Sequence, residues 1–268
     1  MATLSIVICC ANCEDTLEQA CQSATWCDEL IVVDSGSTDS TPHIAQQYAD
    51  RYILEPWRGH TGQKQFAARL CKNDWVFFLD GDEECSPELT QELQALDDRQ
   101  LEDYDLFLVP RRNHVMGRHV RAWSPDHLTR IFHRGRCQWG NHVLHDTRSP
   151  SSRSRMTKLR GHLIHKQHSR AYYADYFSGK RMDDRLMDVA QLMYDHGDRC
   201  SFADLILRPT AAFLKFYFLK RGFLDGSFGL LIAQKAAIST QLKYSALWAI
   251  QHQASRATSD KTTDDQGK

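Results

Sequence analysis

Short apolar runs alternate with longer polar stretches through the first hundred residues of this chain. Leu4-Ser-Ile-Val-Ile-Cys-Cys10, Glu29-Leu-Ile-Val-Val-Asp34 and Trp75-Val-Phe-Phe-Leu79 are rich in β-branched and aromatic residues. Apolar runs of this length, without regular polar alternation, predict strands buried on both faces of a parallel sheet. A fourth, shorter strand fits Arg51 to Leu54. The stretches between have helical spacing. Leu17, Ala20, Cys21 and Ala24 repeat at i, i+3, i+4 and i+7, and Phe66, Ala67, Leu70 and Cys71 form a second stripe. Thr41-Pro42 predicts an N-cap with proline at the first helical position, above an apolar face of Ile44, Ala45, Tyr48 and Ala49. Ser86-Pro87-Glu88 opens one more helix, with Leu89, Leu93 and Leu96 pointing inward. This alternation predicts an α/β domain with helices on both faces of its sheet.

After residue 104 the pattern changes. Asp105-Leu-Phe-Leu-Val-Pro110 and Leu128-Thr-Arg-Ile-Phe-His133 predict strands of a more irregular, mixed region, and Ser149 to Arg155 a polar loop. The chain then has helical spacing over 169–197 and 203–250, while 254–268 is nearly devoid of apolar side chains and predicts disorder. The boundaries implied are a sheet domain over 1–168, a helical extension over 169–253 and a disordered tail over 254–268.

Composition narrows the class. The 268 residues are 42% hydrophobic and 25% charged with a net charge of −1. That balance suits a globular protein and lacks the basic field of a dedicated nucleic-acid binder, so no nucleic acid is expected as partner. The nine cysteines are odd in number and match no zinc spacing. Without a signal-peptide pattern before them, they predict free thiols in a reducing cytoplasm. No run of about 18 uncharged apolar residues predicts a membrane-spanning helix.

The polar residues that change the picture stand at the predicted carboxyl ends of strands, where sheets of this kind bind ligands. Phe77-Phe-Leu-Asp80-Gly-Asp82-Glu-Glu84 delivers two carboxylates, one residue apart, from an apolar strand. Hard oxygen ligands so placed suit Mg²⁺ or Mn²⁺ and, through the metal, a diphosphate. The bland alternative is an acidic turn favoured by the following helix dipole. Asp34 ends another strand and precedes the small loop Ser35-Gly-Ser-Thr-Asp39. It can receive a base or ribose, or serve turn chemistry alone.

These residues carry a resemblance. Asn12-Cys-Glu14, Ile31-Val-Val-Asp-Ser-Gly-Ser-Thr-Asp39, Gln63-Lys-Gln-Phe-Ala67 and Trp75-Val-Phe-Phe-Leu-Asp-Gly-Asp-Glu83 occur in the order found in family 2 glycosyltransferases of the GT-A fold, which the chain resembles. Pro110-Arg-Arg-Asn113, Arg130-Ile-Phe132 and Arg221-Gly-Phe-Leu-Asp-Gly226 look like the branch containing bacterial lipopolysaccharide-core β-glucosyltransferases. The resemblance spans roughly residues 4–250. It implies a Rossmann-like GT-A domain with a mixed sheet, whose nucleotide-sugar half covers about 1–100 and whose acceptor half covers 101–168. Asn12, Glu14 and Asp34 are then expected around the nucleoside, Lys64 near it or the diphosphate, Asp80 at ribose and metal, and Asp82 as the main metal ligand. His165 is expected either to complete the metal site or to be a structural histidine in a strand. Cys10, Ala11 and Cys13 depart from the family, which places Thr, a long polar residue and a second Glu there.

The implied reaction is an inverting, metal-dependent transfer of a hexose, glucose from UDP-glucose by default, to a saccharide or glycolipid acceptor. Inversion needs a base for the acceptor hydroxyl. Asp146, in His142-Val-Leu-His145-Asp146, stands where the branch carries a Glu and is the first candidate; Asp126 is the second, and His145 would hold that carboxylate or the acceptor. Arg111, Arg112, Arg130 and Arg134 form a basic set that either grips phosphates or pairs with the acidic residues of the site. Arg208 to Lys243 holds six Lys and Arg against one acidic residue, interleaved with aromatic and aliphatic side chains. Such helices suit the interface of an anionic membrane, which predicts a peripheral protein on the cytoplasmic face. A nucleotidyltransferase would need a basic triphosphate loop, which Ala11 to Thr16 lacks, and a haloacid-dehalogenase-type phosphatase would carry its Asp pair on the first strand. A non-catalytic carbohydrate-binding protein on the same scaffold is countered by the intact Asp34, Asp80 and Asp82.

Overall fold

The computed structural model describes residues 3–115, 117–137, 155–167 and 183–264. It divides into two units: a sheet unit of Met1–His119 with Ser124–Ser169, and a helical unit of Val120–Trp123 with Arg170–Lys268.

The sheet unit is built as the apolar runs require. Strands β1 (Leu4–Cys10), β2 (Glu29–Asp34), β3 (Arg51–Leu54) and β4 (Trp75–Asp80) alternate with helices α1 (Leu17–Gln22), α2 (Thr41–Tyr48) and α3 (Gly59–Leu70). The four strands are mutually parallel, in the order β3-β2-β1-β4. Two apolar clusters cover the two faces. Ile6, Ile8, Phe77 and Leu79 face α1, while Val7, Ile31, Val76 and Phe78 pack with Ala67 and Ala68 of α3. Successive side chains of one strand feed opposite clusters, the period-two geometry of a strand buried on both sides.

The second half turns the sheet mixed. After β4 come β5 (Glu83–Cys85), α4 (Pro87–Gln94), α5 (Asp98–Asp103), β6 (Leu106–Val115), β7 (Arg118–His119), β8 (Asp126–His133), β9 (Met156–Lys158) and β10 (Leu163–Gln167). β8 runs antiparallel to β4 and to β6, β10 parallel to β6, and β5 antiparallel to β10 at the end of the order. The expected strand over 105–110 is thus longer, reaching Val115, and β5, β7, β9 and β10 add to it. Within β6/β8, Phe107 pairs with Ile131 and Leu108 with Thr129, so Arg130 is the extra residue of a β-bulge.

Helix ends follow local chemistry. Ser86 Oγ accepts from Leu89 N at 3.2 Å and starts α4 as its sequence predicts. At α2 the N-cap position belongs to Ser40, one residue earlier than expected. Thr41 instead turns its hydroxyl to the neighbouring loop, where it accepts from Cys13 N at 2.8 Å.

The helical unit contains α6 (Asp183–Asp195), α7 (Phe202–Leu214), a π-helical turn over Lys215–Leu219, a 3₁₀ turn over Gly222–Asp225 and α8 (Ser227–Asp264). A capping box between Ser201 and Asp204 starts α7. Gly222 and Gly229 have a packing purpose: a Cβ on Gly229 would lie 1.8 Å from the Gly222 carbonyl oxygen, and one on Gly222 2.7 Å from the Phe216 carbonyl oxygen. Asp225 accepts from Ala122 N at 2.9 Å, fastening the short 120–123 segment to this unit. The tail departs from expectation. α8 continues to Asp264, because no Gly or Pro interrupts the chain between Gly229 and Gly267 and extending an existing helix needs no new nucleus.

Candidate active site

The carboxyl ends of β1, β2 and β4 bring Asn12, Asp34 and the Asp80–Glu84 segment to one edge of the sheet. Loops after β1 and β2 are stitched together there. Asn12 takes a left-handed backbone conformation (φ 49°), which Asn tolerates well, and its Oδ1 accepts from Thr38 N at 2.9 Å. Its own N–H donates to Ser37 Oγ at 2.8 Å, and Glu14 accepts from Ser40 N at 2.9 Å. Asp34 is fully buried. Its Oδ1 accepts from Ser37 N at 3.0 Å and Ser37 Oγ at 2.6 Å, and Oδ2 accepts from Tyr52 Oη at 2.8 Å. Burial first, then the bond to Asp34, push the Tyr52 phenol up to about 12.

A closed ring of side chains starts and ends on the Asp80-Gly81-Asp82 turn. Lys64, on the buried face of α3, donates to Asp80 Oδ1 at 3.3 Å. Arg130 grips both Asp80 oxygens and reaches on to Glu83 Oε1 at 2.7 Å. Glu83, with no exposed surface, also accepts from Arg111 Nη1 at 2.9 Å. Arg111 clasps Asp126 through Nη2 at 2.7 Å and Nε at 3.3 Å. Asn113 joins Asp126 to His165, giving Nδ2–H to Asp126 Oδ1 at 3.3 Å while its Oδ1 meets His165 Nδ1 at 2.7 Å. His165 Nε2 closes the ring on Asp82 Oδ2 at 3.1 Å.

Strand register explains the assembly. Glu83 is opposite His165, His165 beside Asn113, and Arg111 opposite Asp126. These residues share the face that Cys85, Leu163 and Val109 fill two positions away. Asp80 alternates with Phe78 and Val76 of the other face. Arg130 links the two sets because the bulge frees its side chain from strict alternation.

Electrostatics within the turn are unequal. Burial opposes ionisation of Asp80, but the Arg130 and Lys64 charges outweigh it and hold the carboxyl far below the usual range. Asp82 is more open, and among the described residues its side chain pairs only with His165. Because an amide oxygen can only accept, His165 donates through Nδ1 and turns Nε2 toward Asp82, the orientation of a metal-binding imidazole. Asp82 and His165 therefore fit a divalent cation that keeps several waters and phosphate oxygens. No three His, Cys, Asp or Glu groups among the described residues are arranged as a ready-made metal cage.

The pattern of Glycosyl transferase family 2 matches residues 5–159. The chain belongs to this family. It is 30% identical over 256 residues to the lipopolysaccharide core biosynthesis glycosyltransferase LpsC of Rhizobium meliloti, a match covering 88% of each chain. It is also 32% identical over 91 residues, 31% of this chain and 36% of the other, to the Escherichia coli UDP-Glc:alpha-D-GlcNAc-diphosphoundecaprenol beta-1,3-glucosyltransferase WfaP. In structure it resembles a crystal structure of a mycobacterial protein, with a TM-score of 0.50 and 19% identity over 72% of this chain and 74% of that one. The chain is thus a glycosyltransferase, and its curled mixed sheet with flanking helices is the GT-A fold.

Of the residues singled out in the sequence, the structure gathers Lys64, Asp80, Asp82, Arg111, Asp126, Arg130 and His165 in one ring, with Asn12 and Glu14 in the loop after β1 and Asp34 at the end of β2. His145 and Asp146 lie outside the described residues. Arg112 does not join: it falls between Arg111 and Asn113 on β6, and its charge is felt instead by Glu88 and His162. Arg134 is remote too, at the far end of β8, where it holds Asp74 at 3.0 Å. The basic set of four is therefore two site residues and two elsewhere. Glu83 and Asn113 are ring members that the sequence analysis gave no role. A cavity of about 290 Å³, lined by Leu4, Trp26, Trp75, Leu96 and Ile131 among others, sits at the opposite, amino end of the strands and shares no residue with the ring.

Removing Arg130 takes a shared cation from the buried Glu83 and the partly exposed Asp80. Arg130→Ala is expected to cost about 3–5 kcal/mol in urea unfolding at pH 7. A depressed native pKa for Asp80 stabilises the fold above the unfolded value of about 4 and stops doing so as pH falls through the native value. The deficit of the variant should accordingly hold from pH 7 to about 4 and narrow below it. A deficit that does not change with pH would show that Arg130 acts by packing rather than by charge.

Proposed function

We propose that this glycosyltransferase moves a hexose, glucose from UDP-glucose as first choice, onto a saccharide or glycolipid of the cell envelope, with inversion and with Mg²⁺ or Mn²⁺ at Asp82. The observation that carries this reading is the ring from Asp80 to Asp82 at the carboxyl ends of the strands. The names of two relatives, one for lipopolysaccharide core biosynthesis and one for a UDP-glucose donor, support the substrate class.

Asp82 and His165 would hold the cation, which when bound offsets negative charge developing on the departing diphosphate. The protein's own residues do the rest. Asn12, Glu14 and Asp34 line the edge where a nucleoside would lie, on loops already braced against one another. Lys64 and Arg130 keep Asp80 ionised and fixed, which orients it toward a ribose. Arg111 occupies both oxygens of Asp126, so Asp126 is better suited to positioning than to accepting a proton. The base is therefore assigned to Asp146, with His145, its neighbour in sequence, holding that carboxylate or the acceptor. As the acceptor oxygen attacks the anomeric carbon, its proton passes to that carboxylate and the bond to the diphosphate breaks on the opposite face.

The acceptor is reached at a membrane. No described helix is long and apolar enough to cross one. The helical unit nevertheless leaves Phe202 77%, Leu207 64%, Phe218 54% and Leu219 81% exposed, with Lys215 and Arg221 exposed among them. Exposed apolar side chains interspersed with cations suit the headgroup region of an anionic bilayer, where each cation contributes about 1 kcal/mol. The protein is assigned to the cytoplasmic face of such a membrane.

Calorimetry with UDP, GDP, CDP and TDP is expected to find binding for UDP that requires Mn²⁺, and Asp82→Ala should abolish the metal requirement together with the tight binding. Base-indifferent or metal-independent binding would overturn the donor assignment. Asp146→Asn should lose about 10²–10⁴-fold in transfer at unchanged donor affinity; near-normal turnover would return the base to Asp126. On anionic liposomes the protein should sediment at low salt and come off as salt rises, and Phe218→Asp with Leu219→Asp should abolish this. Equal recovery on zwitterionic liposomes would remove the electrostatic part of the claim.

A further inference from the structure

Two thiols stand against the Asp80–Asp82 turn. Cys10 is the last residue of β1 and Cys13 follows in the sequence Cys-Ala-Asn-Cys. The left-handed Asn12 between them turns the chain back on itself. The point where a Cβ on Gly81 would stand is 3.0 Å from Cys13 Sγ, 3.6 Å from Cys13 Cβ and 3.2 Å from Cys10 Cβ. Both side chains thus converge on one side of the turn. Interaction with the neighbouring Cys13 side chain first, and burial second, keep Cys10 protonated well above the ordinary thiol range. Cys13 is the more accessible of the two.

Cys13 is also coupled to Gly81 through the backbone. Its carbonyl accepts from Thr16 N at 3.0 Å and Leu17 N at 2.9 Å, and Thr16 Oγ1 donates to the Gly81 carbonyl at 2.7 Å. On its other side, Cys13 N–H donates to Thr41 Oγ1 at 2.8 Å, and that hydroxyl lies 3.9 Å from Cys13 Sγ.

We propose that Cys10 and Cys13 form an oxidisable dithiol whose closure to a disulfide reshapes the Asp80-Gly81-Asp82 turn and weakens binding of the donor nucleotide. The oxidant is a low-molecular-weight disulfide, RSSR. Cys13, as thiolate, attacks one of its sulfurs, the S–S bond breaks and RS⁻ leaves, giving a mixed disulfide on Cys13. Cys10 then gives up its proton, its sulfur attacks Cys13 Sγ, and the second RS⁻ departs. Two protein thiols are oxidised and one RSSR is reduced to two RSH. A disulfide needs its Cβ atoms about 3.5–4.5 Å apart, with sulfurs at about 2 Å. Cys13 Sγ must therefore swing from Thr41 and Gly81 toward Cys10, and the Thr16 contact carries that movement to the Gly81 carbonyl.

The effect on the donor rests on the glycosyltransferase reading above; the disulfide and its effect on the turn do not. The full chain is equilibrated in graded ratios of reduced and oxidised glutathione, alkylated, and mapped by peptide mass spectrometry. Amide hydrogen exchange over 80–84 and calorimetry of UDP with Mn²⁺ are read on each form. A Cys10–Cys13 linkage that appears with oxidation, faster exchange at Gly81 to Glu83, and a loss in UDP affinity of about tenfold or more are expected. Dithiothreitol should reverse all three, and Cys13→Ser should show none of them on oxidation. Absence of that linkage across the range, or pairing with Cys9 in its place, overturns the proposal. So does a linked form with unchanged exchange and affinity. Should neither form bind any nucleoside diphosphate, the donor reading fails, and the linkage and exchange data alone decide for or against the dithiol.

Discussion

Glu83 is the constraint on which the rest of the site depends. A carboxylate with no solvent contact has to be neutralised where it stands, and here it is shared by Arg130 at 2.7 Å and Arg111 at 2.9 Å. Each guanidinium has donors to spare and spends them on a second carboxylate, Asp80 in one case and Asp126 in the other. One buried charge thereby fixes two arginines, and two arginines fix the positions of the carboxylates on either side. Such planar, forked contacts are available to Arg but not to Lys, so neither arginine is replaceable by charge alone.

This arrangement also separates the duties of the two Asp residues in the turn. Asp80 has taken Arg130 and Lys64, and its charge is largely answered from within the protein. Asp82 has an imidazole beside it and more solvent. The cation proposed at this turn would meet Arg130 and Lys64 on the Asp80 side, and on the Asp82 side a carboxylate with only an imidazole beside it among the described residues. The proposed preference for Asp82 over Asp80 as metal ligand thus has a physical ground in the distribution of cations.

How much of this was legible beforehand depends on whether a residue's surroundings are local. The first four strands lie in runs of Val, Ile, Phe and Leu that hardly read otherwise, and strand-end geometry placed Asp34, Asp80 and Asp82 correctly at one edge. β5 was hidden because its three residues, Glu83-Glu84-Cys85, have the composition of an acidic turn; only pairing with β10 makes them a strand. Arg130 was visible as a residue but not as a link, since no local signal marks a one-residue bulge whose cause is the register of β6. Arg111 and Arg112 are adjacent and chemically alike, yet alternation sends one to Glu83 and the other to a different neighbourhood. A list of basic residues could not separate them; a confident strand register would have.

The departures from the family pattern acquire a physical sense in the same frame. Gly81 approaches β1 so closely that an added Cβ would stand 3.0 Å from the Cys13 sulfur and 3.2 Å from Cys10 Cβ. A carboxylate at position 13, as the family pattern has it, would bring a further negative charge against a turn that already holds Asp80 and Asp82. A thiol fills that space with little charge and packs like a small apolar group. Ala11 likewise removes a long polar side chain from the same loop. The neutral packing beside Gly81 and the ring of charges beyond it are therefore complementary: the ring answers Asp80, and the small residues of the β1 loop add no further charge beside Asp82, where the cation is proposed.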